Sequence, residues 1–138
     1  MTATTQRVAR CGCGALTATV TGNPVHVYAC SCLTCQRKSG SAFSYAAMFP
    51  STAVTIDGPY NRWRNSGESG RWVETMFCPT CGVGIGFHAE GVPEMTGVAV
   101  GCFADPDFTP PVTLYWASRR HRWLGLPADL DVQETQDG

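Results

Sequence analysis

The chain has 138 residues, eight of them cysteine, with a formal net charge of −1 and 15% charged residues. Its length predicts a single domain over residues 1–138, with a core over about 7–125 and a polar tail over 129–138. The near-neutral charge argues against a general nucleic-acid binder, which needs a broad basic surface. No stretch approaches the roughly 18 apolar residues of a membrane span, so we expect a soluble protein without a membrane partner.

Short strand patterns dominate the chain from its start to about residue 117. Residues 15–20 alternate apolar and threonine side chains, which predicts a strand with one buried face. Similar patterns predict strands over 7–13, 24–29, 43–49, 53–56, 60–64, 71–77, 83–88, 95–100 and 114–117. One or two helical turns are expected over 35–40, ending at Gly40, and the polar residues 129–138 are expected to fray. Many short strands with almost no helical periodicity predict a mainly β protein with one or two twisted sheets.

The eight cysteines allow two interpretations. An even number is compatible with four disulfides in a secreted protein. However, residues 1–7 contain no apolar run of the kind found in a signal peptide, which favours a reducing compartment, and we expect a cytoplasmic protein. The pairs Cys11/Cys13 and Cys30/Cys32 are also too close in sequence to bond comfortably with each other. Reduced thiols therefore point to metal ligation.

The segment Cys30-Ser31-Cys32-Leu33-Thr34-Cys35 places three sulfurs within six residues. A short turn can bring three such sulfurs onto one metal ion. Structural zinc sites usually have four protein ligands, whereas catalytic sites have three and leave one position for water or substrate. We therefore predict a catalytic zinc at Cys30, Cys32 and Cys35. Two alternatives remain for Cys102: it completes a second closed site here, or it packs as a small buried thiol.

Two further cysteine pairs lie far apart in the chain. Cys11 and Cys13 belong to Cys-Gly-Cys-Gly, and Cys78 and Cys81 belong to Cys-Pro-Thr-Cys-Gly. If the fold brings the pairs together, they form one four-thiolate site of the kind that stabilises small domains, and we predict a structural zinc there. Thiolates with few histidine or carboxylate ligands select zinc or iron–sulfur clusters, and the cluster is the second candidate.

Other polar residues give weaker signals. Arg37 and Lys38 beside the three-cysteine segment are candidates to bind the carboxylates of a thiol, or they form a solvated basic turn. The basic run over residues 118–123 either binds an acidic partner or nucleic acid, or is ordinary surface. We expect His26 to be an exposed strand residue and His88 to be structural.

The three cysteine motifs, in this order and at these spacings, resemble the glutathione-dependent formaldehyde-activating enzyme family, which includes the centromere protein V group. The resemblance covers about residues 10–123 and includes Ser39-Gly40-Ser41-Ala42-Phe43 after the central cluster. It implies an Mss4-like fold of twisted antiparallel sheets with zinc-binding knuckles. It also implies a structural zinc held by Cys11, Cys13, Cys78 and Cys81. A catalytic zinc is implied at Cys30, Cys32 and Cys35.

The resemblance further implies an activity of the carbon–sulfur lyase class. In that activity glutathione or a similar thiol adds to formaldehyde or another small aldehyde, so the expected partners are a small-molecule thiol and an aldehyde. Two positions depart from the family pattern: Ser31 stands where the family commonly has His, and Leu114 where it often has the His of Pro-x-x-His. The centromere relatives suggest the alternative of a non-enzymatic two-zinc module used for binding or as a scaffold.

Overall fold

The computed structural model describes residues 5–67 and 69–136 and confirms the mainly β prediction. Two sheets are formed by the strands β1 (Gln6–Arg10), β2 (Thr17–Thr21), β3 (His26–Cys30), β4 (Ser44–Pro50), β5 (Val54–Asp57), β6 (Asn61–Ser66), β7 (Trp72–Phe77), β8 (Gly84–Ala89), β9 (Met95–Ala99), β10 (Thr113–Tyr115) and β11 (Asp131–Val132). One α-helix is described, α1 (Leu33–Ser39), together with 3-10 turns at Ser51–Ala53, Val100–Phe103 and Ala117–Arg119. No helix in the described part of the chain is long and apolar enough to span a membrane.

The small sheet has the order β1-β2-β5, and the large sheet has the order β11-β10-β3-β4-β9-β8-β7-β6. All pairs are antiparallel except those of β10, which runs parallel to both β3 and β11. The expected antiparallel sheets are thus present, and the large sheet is mixed at this edge. A parallel pair of strands needs a long connection. Here residues 31–112 connect β3 to β10.

The core lies between the two sheets. Strand β2 buries Ala18 and Val20 completely while Thr17 and Thr19 are only half-buried, as its alternation predicted. These residues pack against Phe49 and others from one face of the large sheet. We call the opposite face of the large sheet the site face. Helix α1 packs on it, and the Lys38 Nζ lies 5.6 Å from the centre of the Phe87 ring.

Helix α1 begins earlier than the sequence predicted. The expected start at residue 35 is wrong because the Cys32 sulfur accepts a hydrogen bond from the Cys35 N–H at 3.3 Å and acts as the N-terminal cap. The predicted end is confirmed: Gly40 adopts φ 63° and donates its N–H to the Gln36 carbonyl. The three-cysteine segment is thus part of the helix start.

Both ends of the chain differ from expectation. The strand predicted over 7–13 ends at Arg10, and the cysteine pair that follows lies on a turn. Residues 131–134 are ordered rather than frayed, since Gln133 donates its N–H to Leu114 and accepts from Ala117, both at 2.9 Å. Backbone groups of Leu114 in β10 and of Ala117 in the following turn provide these partners even though the tail is polar.

Substitution of Gly97 by alanine is expected to destabilise the large sheet. A Cβ at this position would lie 2.3 Å from the Phe87 Cζ, so the ring would have to leave its place on the site face. We expect a loss of about 1–3 kcal/mol in the free energy of unfolding, measured by urea denaturation of the metal-loaded protein. Gly101→Ala is the matched control, because no atom lies within 4 Å of its added Cβ. Equal stability of the two variants would contradict this packing.

Candidate metal centres

The first centre joins the two distant cysteine pairs. Cys11 and Cys13 follow β1, Cys78 and Cys81 lie between β7 and β8, and all four sulfurs are within 4.8 Å of one another. The Cys13 sulfur lies 3.7 Å from those of both Cys11 and Cys78. Two sulfurs bound tetrahedrally to one zinc at about 2.3 Å lie about 3.8 Å apart, so this spacing fits a zinc ion.

Backbone donors surround the sulfurs of this centre. The Leu16 N–H donates to the Cys11 sulfur at 3.3 Å. Burial raises the pKa of the Cys11 thiol, but hydrogen bonds from Leu16, Cys13 and Cys81 outweigh it and lower the pKa to about 6. Gly82 takes φ 77° after Cys81, which closes the second turn. The surroundings of Cys11 therefore favour the thiolate form that binds metal ions.

The second centre is formed by the central motif. Cys30 ends β3, Cys32 caps α1 and Cys35 lies in its first turn, and their three sulfurs are within 4.8 Å of one another. Hydrogen bonds from the Cys30 and Cys32 thiols lower the pKa of Cys35 to about 3, against the opposing effect of burial. Hydrogen bonding to Cys32 and Cys35 raises the pKa of Cys30. The cluster thus holds negative charge that a metal cation would neutralise.

Cys102 does not belong to this second centre. Its sulfur donates to the Gly84 carbonyl at 3.7 Å, and burial followed by the charges of Cys11 and Cys81 raises its pKa. It therefore lies beside the first centre, and the alternative of a closed site completed by Cys102 is wrong. Within residues 5–67 and 69–136, no other Cys, His, Asp or Glu joins the three sulfurs.

An aromatic row adjoins the three-cysteine cluster on the site face. Tyr115 lies opposite Cys30 in the register of β10 and β3, and its ring centre is 5.3 Å from that of Tyr28. The His26 Nε2 lies 3.1 Å from the Tyr115 hydroxyl, so the expectation of an exposed His26 is wrong. Burial, and then the charges of Cys35 and Cys30, raise the pKa of Tyr28. The sequence contained one signal for this wall: Tyr28 precedes Cys30 by two residues, which places both on one strand face.

Gln36 was missed by the sequence interpretation. Its Nε2 donates to the Ser31 carbonyl at 2.8 Å and to the Arg119 carbonyl at 3.0 Å, and its Oε1 lies 2.9 Å from the His121 Nε2. This side chain therefore joins the cysteine segment to the start of the basic run. His88 lies on β8 outside both clusters, and the remainder of the basic run is exposed.

The two positions that depart from the family pattern are both buried. Ser31 is 0% exposed, and its hydroxyl has no hydrogen-bond partner among the described residues. Leu114 packs with Ala29 in a small apolar cluster on the face opposite Tyr115. Leu114 thus contributes to packing, and its neighbour Tyr115 faces the site.

A cleft of about 650 Å³ lies between α1 and strands β6 to β8 on the site face. Its helix wall includes Arg37 and Lys38, and Thr34 extends it to the three-cysteine segment. The remaining lining residues come from the strands and the β7–β8 turn: Arg62, Trp63, Asn65, Ser66, Thr75, Phe77, Gly82 and Gly84. The volume is that of a typical small-molecule site.

Comparison with known proteins identifies the family. The family model described as glutathione-dependent formaldehyde-activating enzyme matches residues 6–119. The chain belongs to this family. The resemblance drawn from the cysteine motifs is therefore confirmed. Both cysteine clusters and the residues that line the cleft lie inside the matched region. No curated protein gives a significant match. A crystal structure of a Rhodobacter sphaeroides protein shares the fold, with a TM-score of 0.56 and 21% identity over 75% of this chain and 91% of that one.

Metal analysis of the purified protein is expected to give about two ions per chain. Cys78→Ser should remove about one ion and lower the unfolding temperature, because the buried Cys78 contacts both the cluster and the core. Cys102→Ala should retain both ions, since its sulfur belongs to neither cluster. Elemental analysis and thermal unfolding measure both effects. Metal loss from the Cys102 variant would contradict the assignment.

Proposed function

We propose that this family member condenses a glutathione-like thiol with formaldehyde or another small aldehyde to give an S-hydroxyalkyl adduct. This is a zinc-dependent reaction of the carbon–sulfur lyase class. The main support is the three-cysteine cluster, which has no fourth Cys, His, Asp or Glu ligand in the described residues. Thr34, which lies between Cys32 and Cys35 in the chain, lines a cleft of substrate size. In this proposal the four-cysteine cluster holds a structural zinc. The eight cysteines are all unpaired in the structure, which favours a reducing compartment such as the cytoplasm.

The reaction requires that a thiol and a carbonyl meet. The sulfur–hydrogen bond breaks, a carbon–sulfur bond forms, and the carbonyl oxygen takes the proton. A zinc ion held by Cys30, Cys32 and Cys35 would supply a Lewis acid that stabilises a thiolate or polarises a carbonyl. The protein's own contribution is to hold both reactants beside the cluster, since positioning alone removes a large part of such a barrier.

The cleft residues have distinct parts in this positioning. The cationic side chains of Arg37 and Lys38 would bind the thiol's carboxylates and direct its sulfur toward the Thr34 end of the cleft. Tyr28 and Tyr115 form an aromatic wall beside the cluster and limit the access of water. Gln36 holds the cysteine segment in place through the Ser31 carbonyl.

The alternative of a binding or scaffold module has one observation in its favour. Trp123 is 73% exposed at the end of the exposed basic run, where its indole is accessible to a partner. A protein that carries two zinc ions but neither accelerates the condensation nor binds thiols at its metal would support this alternative.

Cobalt substitution provides the test of the enzyme proposal. Glutathione added to the Co(II) protein should change its visible absorption, because the thiolate would enter the ligand set of the three-cysteine site. Cys32→Ser should abolish this response and the condensation rate while the fold is retained. Cys81→Ser should instead lose stability, as judged by circular dichroism. Equal unfolding of both variants would contradict the proposed division between a structural and a catalytic centre.

Charge removal at the helix wall should weaken the binding of thiols that carry carboxylates. We expect Arg37→Gln and Lys38→Gln each to raise the KM for glutathione about threefold to tenfold, because each removes a charged hydrogen-bond donor. The KM for 2-mercaptoethanol, which has no carboxylate, should stay unchanged. Arg122→Gln removes an exposed arginine of the basic run, outside the cleft lining, and is the control. If all three variants behave alike, Arg37 and Lys38 do not bind substrate.

A further inference from the structure

A small apolar pocket lies on the face of β3 and β10 that is opposite Tyr115. Its volume is about 160 Å³, and all nine residues that line it are apolar, proline or glycine. Ala29 and Leu114 belong to the two strands, and residues of the segment 124–130 form the opposite side. A dry cavity of about 150 Å³ can hold a benzene ring. The pocket therefore has the size and the chemistry to accept an aromatic side chain.

An exposed tryptophan stands beside this pocket without filling it. The Leu124 N–H donates to the His121 carbonyl at 3.1 Å, so Arg122 and Trp123 are the central residues of a turn. Trp123 is 73% exposed and does not line the pocket, although Leu124, the next residue, does. Tryptophan side chains of this kind are enriched at the centres of protein interfaces. The turn thus presents an aromatic ring next to a pocket that can hold one.

The apolar surface continues beyond the pocket. Leu114 lies opposite Val132 in the register of β10 and β11, so both side chains are on the pocket face. Val112 follows Pro111, which lines the pocket. Trp123, Val112 and Val132 are three of the seven large apolar residues that are exposed in the described part of the chain. Such clustering on one face is typical of an interaction surface.

Two charges of opposite sign flank the aromatic turn and the pocket. Arg122 precedes Trp123 on the turn. Asp129 lies between the lining residues Pro127 and Leu130, in a second turn that the Leu130 N–H closes on the Pro127 carbonyl at 3.2 Å. Both charged side chains are exposed, and neither forms an ion pair within residues 5–67 and 69–136. One surface therefore carries a projecting ring, a pocket for such a ring, a cation and an anion.

A surface that carries both a projection and its complement can pair with a copy of itself. Under twofold symmetry, residue i of one copy contacts residue j of the other, and j contacts i. If Trp123 of each copy enters the pocket of the other, Arg122 of one copy meets Asp129 of the other. The apolar centre then excludes water, and the charged rim fixes the orientation.

We propose that the chain forms a twofold homodimer in which Trp123 of each copy inserts into this pocket of the other. The pocket is formed on the face of β3 and β10 that does not carry the aromatic row of the three-cysteine cluster. The inference is therefore independent of the proposed reaction.

Sedimentation velocity of the metal-loaded full chain tests this interface. From about 1 µM to about 1 mM, the range of moderate to weak affinities, the 14.8 kDa chain is expected to convert to a species of twice that mass. Trp123→Ala should raise the Kd of the dimer about thirtyfold or more, as the loss of a central aromatic side chain predicts. Trp63→Ala is the matched control: it removes another exposed tryptophan, in the cleft, and should associate like the wild-type protein.

Charge exchange tests the twofold arrangement. Arg122→Glu would place two carboxylates together at each rim, and Asp129→Arg would place two guanidinium groups there, so each variant alone should dimerise more weakly than the wild-type protein. An equimolar mixture of the two variants should form heterodimers about as tightly as the wild-type protein dimerises, because both rims then pair opposite charges.

The contrary results are distinct. A wild-type chain that stays monomeric over the whole range overturns the proposal. Dimerisation of folded Trp123→Ala like the wild-type protein, or equal weakening by Trp63→Ala, would place the interface elsewhere. Failure of the two charge variants to associate when mixed, with circular dichroism showing that both are folded, would exclude the twofold pairing of Arg122 with Asp129.

Discussion

Four thiols that meet between the sheets determine how the rest of the chain is arranged. Cys13 and Cys78 are 65 residues apart in sequence, and their sulfurs lie 3.7 Å apart, so the turn after β1 is held against the β7–β8 turn. The buried Cys11 and Cys78 also belong to the apolar core between the sheets. Metal binding at this point would connect both sheets in a domain too small to rely on a large core alone. The end of the large sheet that lines the cleft is attached to this junction through Gly82 and Gly84.

The three-cysteine centre is built differently, from local structure. All its sulfurs come from the end of β3 and the first turn of α1, and the Cys32 sulfur serves as the helix cap. Gln36 joins this segment to the chain after β10. The ligands of this centre therefore come from one short segment, and distant parts of the chain contribute only the residues around it. Its neighbours are the aromatic wall of Tyr28 and Tyr115 and, through Thr34, the cleft.

The cleft itself is chemically asymmetric. Its helix wall carries positive charge at Arg37 and Lys38, and its sheet wall carries buried oxygens at Asn65 and Thr75. In the proposed function, the thiol's carboxylates bind the charged helix wall and its sulfur lies toward the Thr34 end of the cleft.

The sequence by itself determined the two cysteine groups, the mainly β composition and the family, because short motif spacings and strand alternation are local properties. Strand bounds were less well predicted: the cap formed by Cys32 and the pairing of residues 131–134 depend on partners that no local pattern contains. The same holds for Tyr115, Gln36, Asn65 and Thr75, whose positions are set by strand register and by long-range hydrogen bonds. Tertiary structure alone placed Cys102 beside the four-cysteine centre, since only the packed sheets show which cluster a single distant thiol approaches.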